Sequence, residues 1–126
     1  MNYYEILSLS NFYFEDSYVL SIDEVAGSLI FELDAVLTKN HPQYEEPKNG
    51  EQYCYRKVLL RFFNADSIEW FDRRRIGFVD STGDLDYGNI DSFVRVDGAY
   101  TLSGDWGRVI IRGRSEEHTS ELQSQP

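Results

Sequence analysis

Hydrophobic residues in this chain alternate with polar ones over short stretches, and turn residues separate one stretch from the next. Leu29, Phe31 and Leu33, for example, alternate with Glu32 and Asp34. A period of two is typical of β-strands that bury one face, whereas a helix requires a period near 3.6. The pattern recurs along most of the chain, so it limits the fold to sheets.

The alternation predicts about eight short strands with frequent turns. Asp97-Gly98 is the clearest tight-turn signal, and residues 39–52, with two prolines and an Asn-Gly pair, are expected to form the longest loop. Most connections are too short for crossover helices, so the strands should pair antiparallel. We therefore expect an all-β fold, an antiparallel two-layer sandwich or flattened barrel, with at most a short helix over residues 2–9.

Two strands carry specific expectations about burial. Tyr18, Leu20 and Ile22 alternate with Ser21 and Asp23, which predicts a half-buried strand with these three apolar side chains toward the core. In the strand that starts near residue 53, Arg56 falls on the same face as Cys54 and the apolar residues that follow. Its guanidinium must therefore reach solvent or find a partner.

The chain is strongly acidic, with 12 Lys and Arg against 22 Asp and Glu and a formal net charge of −10. Such a charge disfavours nucleic acid and anionic membranes as partners, because both are negative. It would instead steer the protein toward a basic partner. One cysteine, no signal peptide and no apolar run near the ~20 residues of a membrane span together predict a cytoplasmic location.

Residues 114–124 resemble the translation of a sequencing adapter. The resemblance implies that residues 114–126 are a non-native, disordered tail and that the natural chain continues past Gly113 with other residues. The tail holds one Arg and three Glu, so without it Lys and Arg number 11, Asp and Glu number 19, and the net charge is −8. The expected organisation is one acidic β domain over residues 1–113.

Acidic residues are concentrated between residues 80 and 91. Read as a calcium loop starting at Asp84, this segment has Asn89 at position 6 and Arg95 at position 12, where such loops have Gly and Glu. We therefore interpret these aspartates as solvated turn residues and expect no metal and no cofactor.

Few residues point to catalysis. Before the tail, His41 is the only histidine and Cys54 the only cysteine, and phosphate-loop, zinc-ligand and nucleophile-elbow patterns do not occur. We therefore predict that the protein is not an enzyme. Arg73, Arg74 and Arg75 form a local basic run that could bind an anion, although pairing with nearby acids is favoured.

Aromatic residues make up 15% of the chain, and most are expected in the core. Some could instead line a recognition surface: Tyr44, Tyr53, Tyr55, Trp70, Tyr87, Tyr100 and Trp106. Trp106 lies in a turn, where an indole either packs over the end of a sheet or contacts a partner. Packing is the favoured alternative.

Four segments resemble a family of small uncharacterised bacterial proteins. They are FEDSYVL at residues 14–20, YCYR at 53–56, DYGNIDSF at 86–93 and LSGDWG at 102–107. The first segment is also similar to the openings of small all-β proteins, some of which neutralise toxins of competing bacteria. The family implies no activity and no catalytic residues.

We therefore expect a non-enzymatic binding protein, of the immunity type that masks a basic partner such as a toxin. The predicted partner-binding residues are Asp80, Asp84, Asp86, Tyr87, Asp91, Asp105 and Trp106. One alternative is a β-sandwich that binds, or also hydrolyses, a small molecule or carbohydrate. Another is a subunit of a larger assembly, with an unpaired strand edge near residues 109–111.

Overall fold

A computed structural model describes residues 1–74, 78–79, 85–113 and 116–121, with backbone only for residues 78–79, 85–86 and 116–121. The strands are β1 Phe12–Val25, β2 Ser28–Leu37, β3 Cys54–Phe63, β4 Ser67–Phe71, β5 Phe78–Val79, β6 Leu85–Asp86, β7 Ser92–Val96, β8 Ala99–Gly104, β9 Gly107–Arg112 and β10 Glu116–Glu121. Two short 3-10 turns, Tyr3–Glu5 and Leu7–Leu9, occupy the N-terminal segment where a short helix was expected.

The strands form two four-stranded sheets and a small ribbon. The first sheet has the order β1-β2-β3-β10, the second has the order β4-β9-β8-β7, and β5 pairs with β6. Every pair is antiparallel. The predicted hairpin turn is present: Asp97 and Gly98 join β7 to β8, both with positive φ. The all-β antiparallel prediction is confirmed.

The core lies between the two sheets. Its first-sheet side chains include Phe31, Leu33, Val58, Leu60 and Phe62, and its second-sheet side chains include Leu102, Val109 and Ile111, all fully buried. Aromatic rings bridge the layers, with centroids 5.1 Å apart for Phe62 and Tyr100. Each such side chain contributes roughly 1.5–3 kcal/mol when removed from water. The fold is thus a two-layer sandwich, and the alternation predicted its core face in β2, β3 and β9.

One expectation about β1 is wrong. Val19 is fully buried, whereas Tyr18 is 38% exposed. The register explains the difference: Tyr13 pairs with Val36 and Tyr18 with Asp34, so five steps on β1 span two on β2. The three additional residues form a large bulge, which resets the alternation of the strand.

A serine closes this bulge. The Ser17 hydroxyl donates a hydrogen bond to the Tyr13 carbonyl oxygen at 2.7 Å and accepts one from the Val36 N–H at 2.9 Å. Ser17 is fully buried. Its side chain thus supplies the ladder contact that the looped-out backbone cannot make.

The sheet edges also differ from the expectation. β9 lies between β4 and β8, so residues 109–111 form an interior strand rather than an unpaired edge. Residues 116–121, expected to be disordered, form β10 and pair with β3. Without β10 that edge of β3 would present unpaired N–H and C=O groups, which readily accept another strand.

Candidate functional site

The structure describes the predicted acidic interface only in part. Asp80 and Asp84 lie outside the described residues, and Asp86 is described by its backbone, which ends β6. Tyr87 is half-buried, and its N–H donates to the Val19 carbonyl oxygen at 2.8 Å. Asp91 is exposed. Tyr87 and Gly88, within the described part of this segment, therefore lie along the outer edge of β1.

The turn at residues 104–107 lies against the same segment. The Asp105 side chain packs against Gly88 so closely that a Cβ on Gly88 would come within 2.9 Å of Asp105 Oδ2. Asp105 itself is exposed. The structure therefore brings Asp105 next to the acidic segment, although the two are well separated in sequence.

Trp106 does not belong to a partner-binding surface and must be removed from the predicted interface. It is 1% exposed, and its ring packs edge-on against Phe31 at 5.3 Å and Trp70 at 6.0 Å. Its indole N–H donates to the Asn89 carbonyl oxygen at 3.0 Å. The favoured alternative, packing over the end of the sheet, is therefore confirmed.

Three of the four family-like segments converge on Asn89. The Asn89 side-chain amide donates to the Ser17 carbonyl oxygen at 2.9 Å, while its own carbonyl oxygen accepts the Trp106 indole N–H. Gly104 lies so close that a Cβ there would overlap the same carbonyl oxygen. These motif residues therefore share a structural role: they join the β1 bulge to the second sheet.

A surface that the sequence only partly indicated lies on the outer side of the first sheet. We call it the tyrosine face, defined by Tyr13, Tyr18, Tyr53, Tyr55, Asp16 and Asp34. The alternation with the buried Phe12 and Phe14 in β1, and with Cys54 in β3, turns the tyrosines outward. Tyr13 and Tyr18 are five residues apart, an odd spacing that would place them on opposite faces of a regular strand. The bulge places both on one face.

Ring contacts and one hydrogen bond hold this face in place. The ring centroid of Tyr53 lies 6.2 Å from the centroid of Tyr13 and 6.2 Å from that of Tyr55. The ring centroids of Tyr18 and Tyr55 are 6.0 Å apart. The Tyr53 hydroxyl donates to Asp16 Oδ2 at 2.7 Å, and this bond raises the pKa of Tyr53. Burial, with a contribution from Tyr18, raises the pKa of Tyr55 to about 12. The Tyr53 hydroxyl proton is therefore engaged by Asp16, and the Tyr55 phenol is uncharged at neutral pH.

Asp34 supplies a carboxylate in the middle of the face. In the register it stands between Tyr18 of β1 and Lys57 of β3. Burial raises the pKa of Asp34, and Lys57 lowers it. The partial burial makes the charged carboxylate receptive to an added cation, although Lys57 already offsets some of its charge.

A cavity of about 300 Å³ opens beside the tyrosine face. Its aromatic walls are Tyr13, Tyr44 and Tyr53, and Val36 and Leu37 contribute apolar side chains. Tyr44 and Tyr53 were among the aromatics named as candidates for a recognition surface. Tyr18 was missed, because its exposure depends on the bulge. Tyr13 was also missed, although its alternation with Phe12 and Phe14 could have indicated its exposure.

A second, open depression of about 500 Å³ lies at the end of the second sheet. Its charged residues are Asp72, Arg74, Asp105 and Arg108. Charges of both signs meet there, which does not create the uniform field that attracts an anion. In the basic run, the Arg73 guanidinium lies 4.1 Å from the centre of the Trp70 ring, and Arg75 lies outside the described residues. The expected pairing of this run with acids stays a prediction.

Cys54 and His41, the two residues considered for catalysis, are both described. Cys54 is buried, and His41 Nδ1 accepts a hydrogen bond from the Gln43 N–H at 3.0 Å, so this nitrogen is engaged locally. Within the described ranges, no group of three or more His, Cys, Asp or Glu is arranged to hold a metal ion. In the same ranges, no helix has the length and apolar character needed to cross a membrane.

Comparisons with known proteins identify no relative. No family model matches the chain, and neither a curated protein nor a solved structure is significantly similar to it.

Proposed function

We propose that this protein is a non-enzymatic binding protein that holds a basic partner protein on its tyrosine face. The observation that carries the proposal is the grouping of four partly exposed tyrosine rings with two carboxylates on one sheet surface. Tyrosine anchors many protein interfaces, because its ring offers a large apolar area and its hydroxyl a polar tip.

The charges on this face favour a cationic partner. Arg and Lys side chains are attracted to the faces of tyrosine rings. A carboxylate accepts hydrogen bonds from a guanidinium, and Asp16 keeps acceptor sites beyond the one that Tyr53 occupies. Asp16 is the stronger candidate of the two acids, because Lys57 partly offsets the charge of Asp34. The net charge of −10 would also accelerate encounter with a basic protein.

The rings are held before any partner arrives. Each tyrosine of the face contacts at least one other ring of the set, and Tyr53 is held further by Asp16. Side chains that are ordered in the unbound protein lose less conformational entropy on association. Such preorganisation supports a binding role for this surface.

The similarity of residues 14–20 to the openings of small all-β proteins, some of which neutralise toxins, extends the proposal together with the acidity to an immunity-type role, in which a cytoplasmic protein masks the basic face of a toxin. The acidic segment would then form the rim of the interface. Tyr87 lies beside Val19 along the β1 edge, next to Tyr18. The exposed Asp91 carboxylate would add long-range attraction to a basic partner.

Peptide arrays can test this proposal. The probes are short peptides rich in Arg and Lys, with copies in which these residues are replaced by Glu as background. We expect retention of a subset of the basic peptides at about 50 mM salt and its loss near 300 mM, because salt screens exposed charges. We expect Tyr18→Ala and Tyr55→Ala each to weaken retention about fivefold or more, as anchor residues do.

Tyr4→Ala is the matched control, because Tyr4 is 53% exposed and lies outside the tyrosine face. Equal weakening by Tyr4→Ala, or equal retention of the Glu-substituted peptides, would contradict the proposal.

Carbohydrate binding is the second candidate, favoured by the 300 Å³ cavity with walls from Tyr13, Tyr44 and Tyr53. Sugar rings commonly pack on aromatic side chains within concave, mostly apolar sites. A glycan array separates the two candidates, because binding of a neutral oligosaccharide would persist at high salt, whereas binding of a basic protein would not.

A further inference from the structure

The outer edge of β3 is covered by β10. Six residue pairs join the two strands, from Glu116 opposite Phe63 to Glu121 opposite Val58. The other edge of β3 pairs with β2. β3 therefore becomes an interior strand only because residues after Gly113 pair with it.

The register of β10 disagrees with its sequence. Val58, Leu60 and Phe62 are fully buried, and they stand opposite Glu121, Thr119 and Glu117. Residues directly opposite one another on antiparallel strands share a face of the sheet. The core-side positions of β10 are therefore 117, 119 and 121, and none of them is apolar. A carboxylate is costly at a position that faces a core.

A short connection leads the chain from β9 to this edge of β3. β9 ends at Arg112 in the second sheet, and β10 begins at Glu116 in the first, so only residues 113–115 connect them. Gly113 has φ of +99°, and a Cβ there would overlap the Asp66 carboxylate. This position therefore requires glycine, both for its backbone conformation and for its close approach to Asp66. The chain therefore turns from the second sheet toward the first at Gly113, which precedes the tail.

We propose that the edge of β3 accepts an antiparallel strand with apolar residues at positions 117, 119 and 121, supplied by the segment of this chain that follows Gly113. The adapter resemblance of residues 114–124 accounts for the mismatch, since a translated adapter was not selected to face a core. The inference is independent of the tyrosine face, which lies on the opposite side of the first sheet from the core.

Two triple variants of the full chain test the proposal. The first, Glu117→Val with Thr119→Val and Glu121→Val, places apolar residues at the core-side positions. The second, Glu116→Val with His118→Val and Ser120→Val, adds the same number of strand-forming residues at the alternate positions. We expect the first to raise the thermal midpoint by roughly 5 °C or more, because it adds apolar burial, and the second to change it by less than half as much.

Two single substitutions allow the same comparison if the triple variants aggregate. Thr119→Val and Ser120→Val each replace a neutral polar residue, on opposite faces of β10. Slower hydrogen exchange of the β3 amides in Thr119→Val than in Ser120→Val supports the proposal. Equal effects of the two, a larger effect of Ser120→Val, or an equal midpoint shift in both triple variants would overturn it.

Discussion

Replacing Ser17 with Ala is expected to destabilise the protein more than a single small side chain would suggest. The substitution removes one oxygen atom and creates almost no cavity. It leaves the Val36 N–H without its acceptor in the fully buried surroundings of Ser17, and it removes the donor that the Tyr13 carbonyl oxygen uses. A buried polar group left unsatisfied costs about 1–3 kcal/mol. With two groups affected, one of them on the half-exposed Tyr13, we expect a loss of about 2–4 kcal/mol from a stability of about 5–15 kcal/mol.

Urea denaturation followed by circular dichroism measures this loss. We expect a lower urea midpoint. The dependence of the unfolding free energy on urea should not change, because the variant and the wild type expose the same amount of surface when they unfold. Hydrogen exchange should also show a faster-exchanging Val36 amide, since its acceptor has been removed. Ser21→Ala is the control on the same strand, because Ser21 is half-buried and its hydrogen bond to Glu32 is long, at 3.4 Å. A loss below about 0.5 kcal/mol for Ser17→Ala, similar to that of a surface substitution, would refute the role assigned to Ser17.

Three further predictions concern packing and titration. Gly104→Ala should lower the thermal midpoint by more than about 10 °C, because its Cβ would overlap a backbone carbonyl oxygen. Gly50→Ala has open space around it and should cost only about 1 kcal/mol through its positive φ; similar losses for the two would contradict the packing argument. Because the folded state raises the pKa of Tyr55 from 10.0 to about 12, stability is lost as pH rises through this interval, and Tyr55→Phe should flatten that loss in alkaline denaturation. Burial also raises the pKa of Asp34, so the contribution of this one carboxyl to stability falls as pH rises from its ordinary pKa of 3.8 through its higher pKa in the folded state. The free energy of unfolding of Asp34→Asn, measured relative to wild type in urea titrations, should therefore be higher at pH 7 than at pH 3. An equal stability difference at the two pH values would argue against the burial effect.

Much of the core could be predicted from short-range alternation. Phe31 and Leu33 of β2 and Val109 and Ile111 of β9 are buried as their spacing indicated. The expectation that Arg56 finds a partner is also confirmed, because Nη2 of its guanidinium lies 3.2 Å from Glu45 Oε2. These predictions succeed because side chains on a regular strand alternate between two faces, whatever the strand pairs with.

The candidate site was less accessible to prediction. Tyr53 and Tyr55 could be named as recognition residues, but Tyr18 was assigned to the core. Its real orientation depends on a bulge that is closed by a hydrogen bond between Ser17 and Val36, which lie in different strands. No local pattern reports such a contact, because the acceptor and donor meet only after the strands have paired.

The order of residues along the chain, by its alternation and turn signals, was sufficient to predict an antiparallel all-β fold, either a sandwich or a flattened barrel, and the core-facing residues of β2, β3 and β9. Tertiary structure alone decided three matters: the shift of β1 that exposes Tyr18, the burial of Trp106 against Asn89, and the pairing of residues 116–121 with β3. Periodicity is a property of neighbouring residues, so sequence reveals it directly. The β1 bulge, the hydrogen bond of the Trp106 indole and the pairing of a strand edge each depend on backbone groups that lie far apart in the sequence. These groups meet only when the sheets form, so the tertiary structure decides which of them are paired.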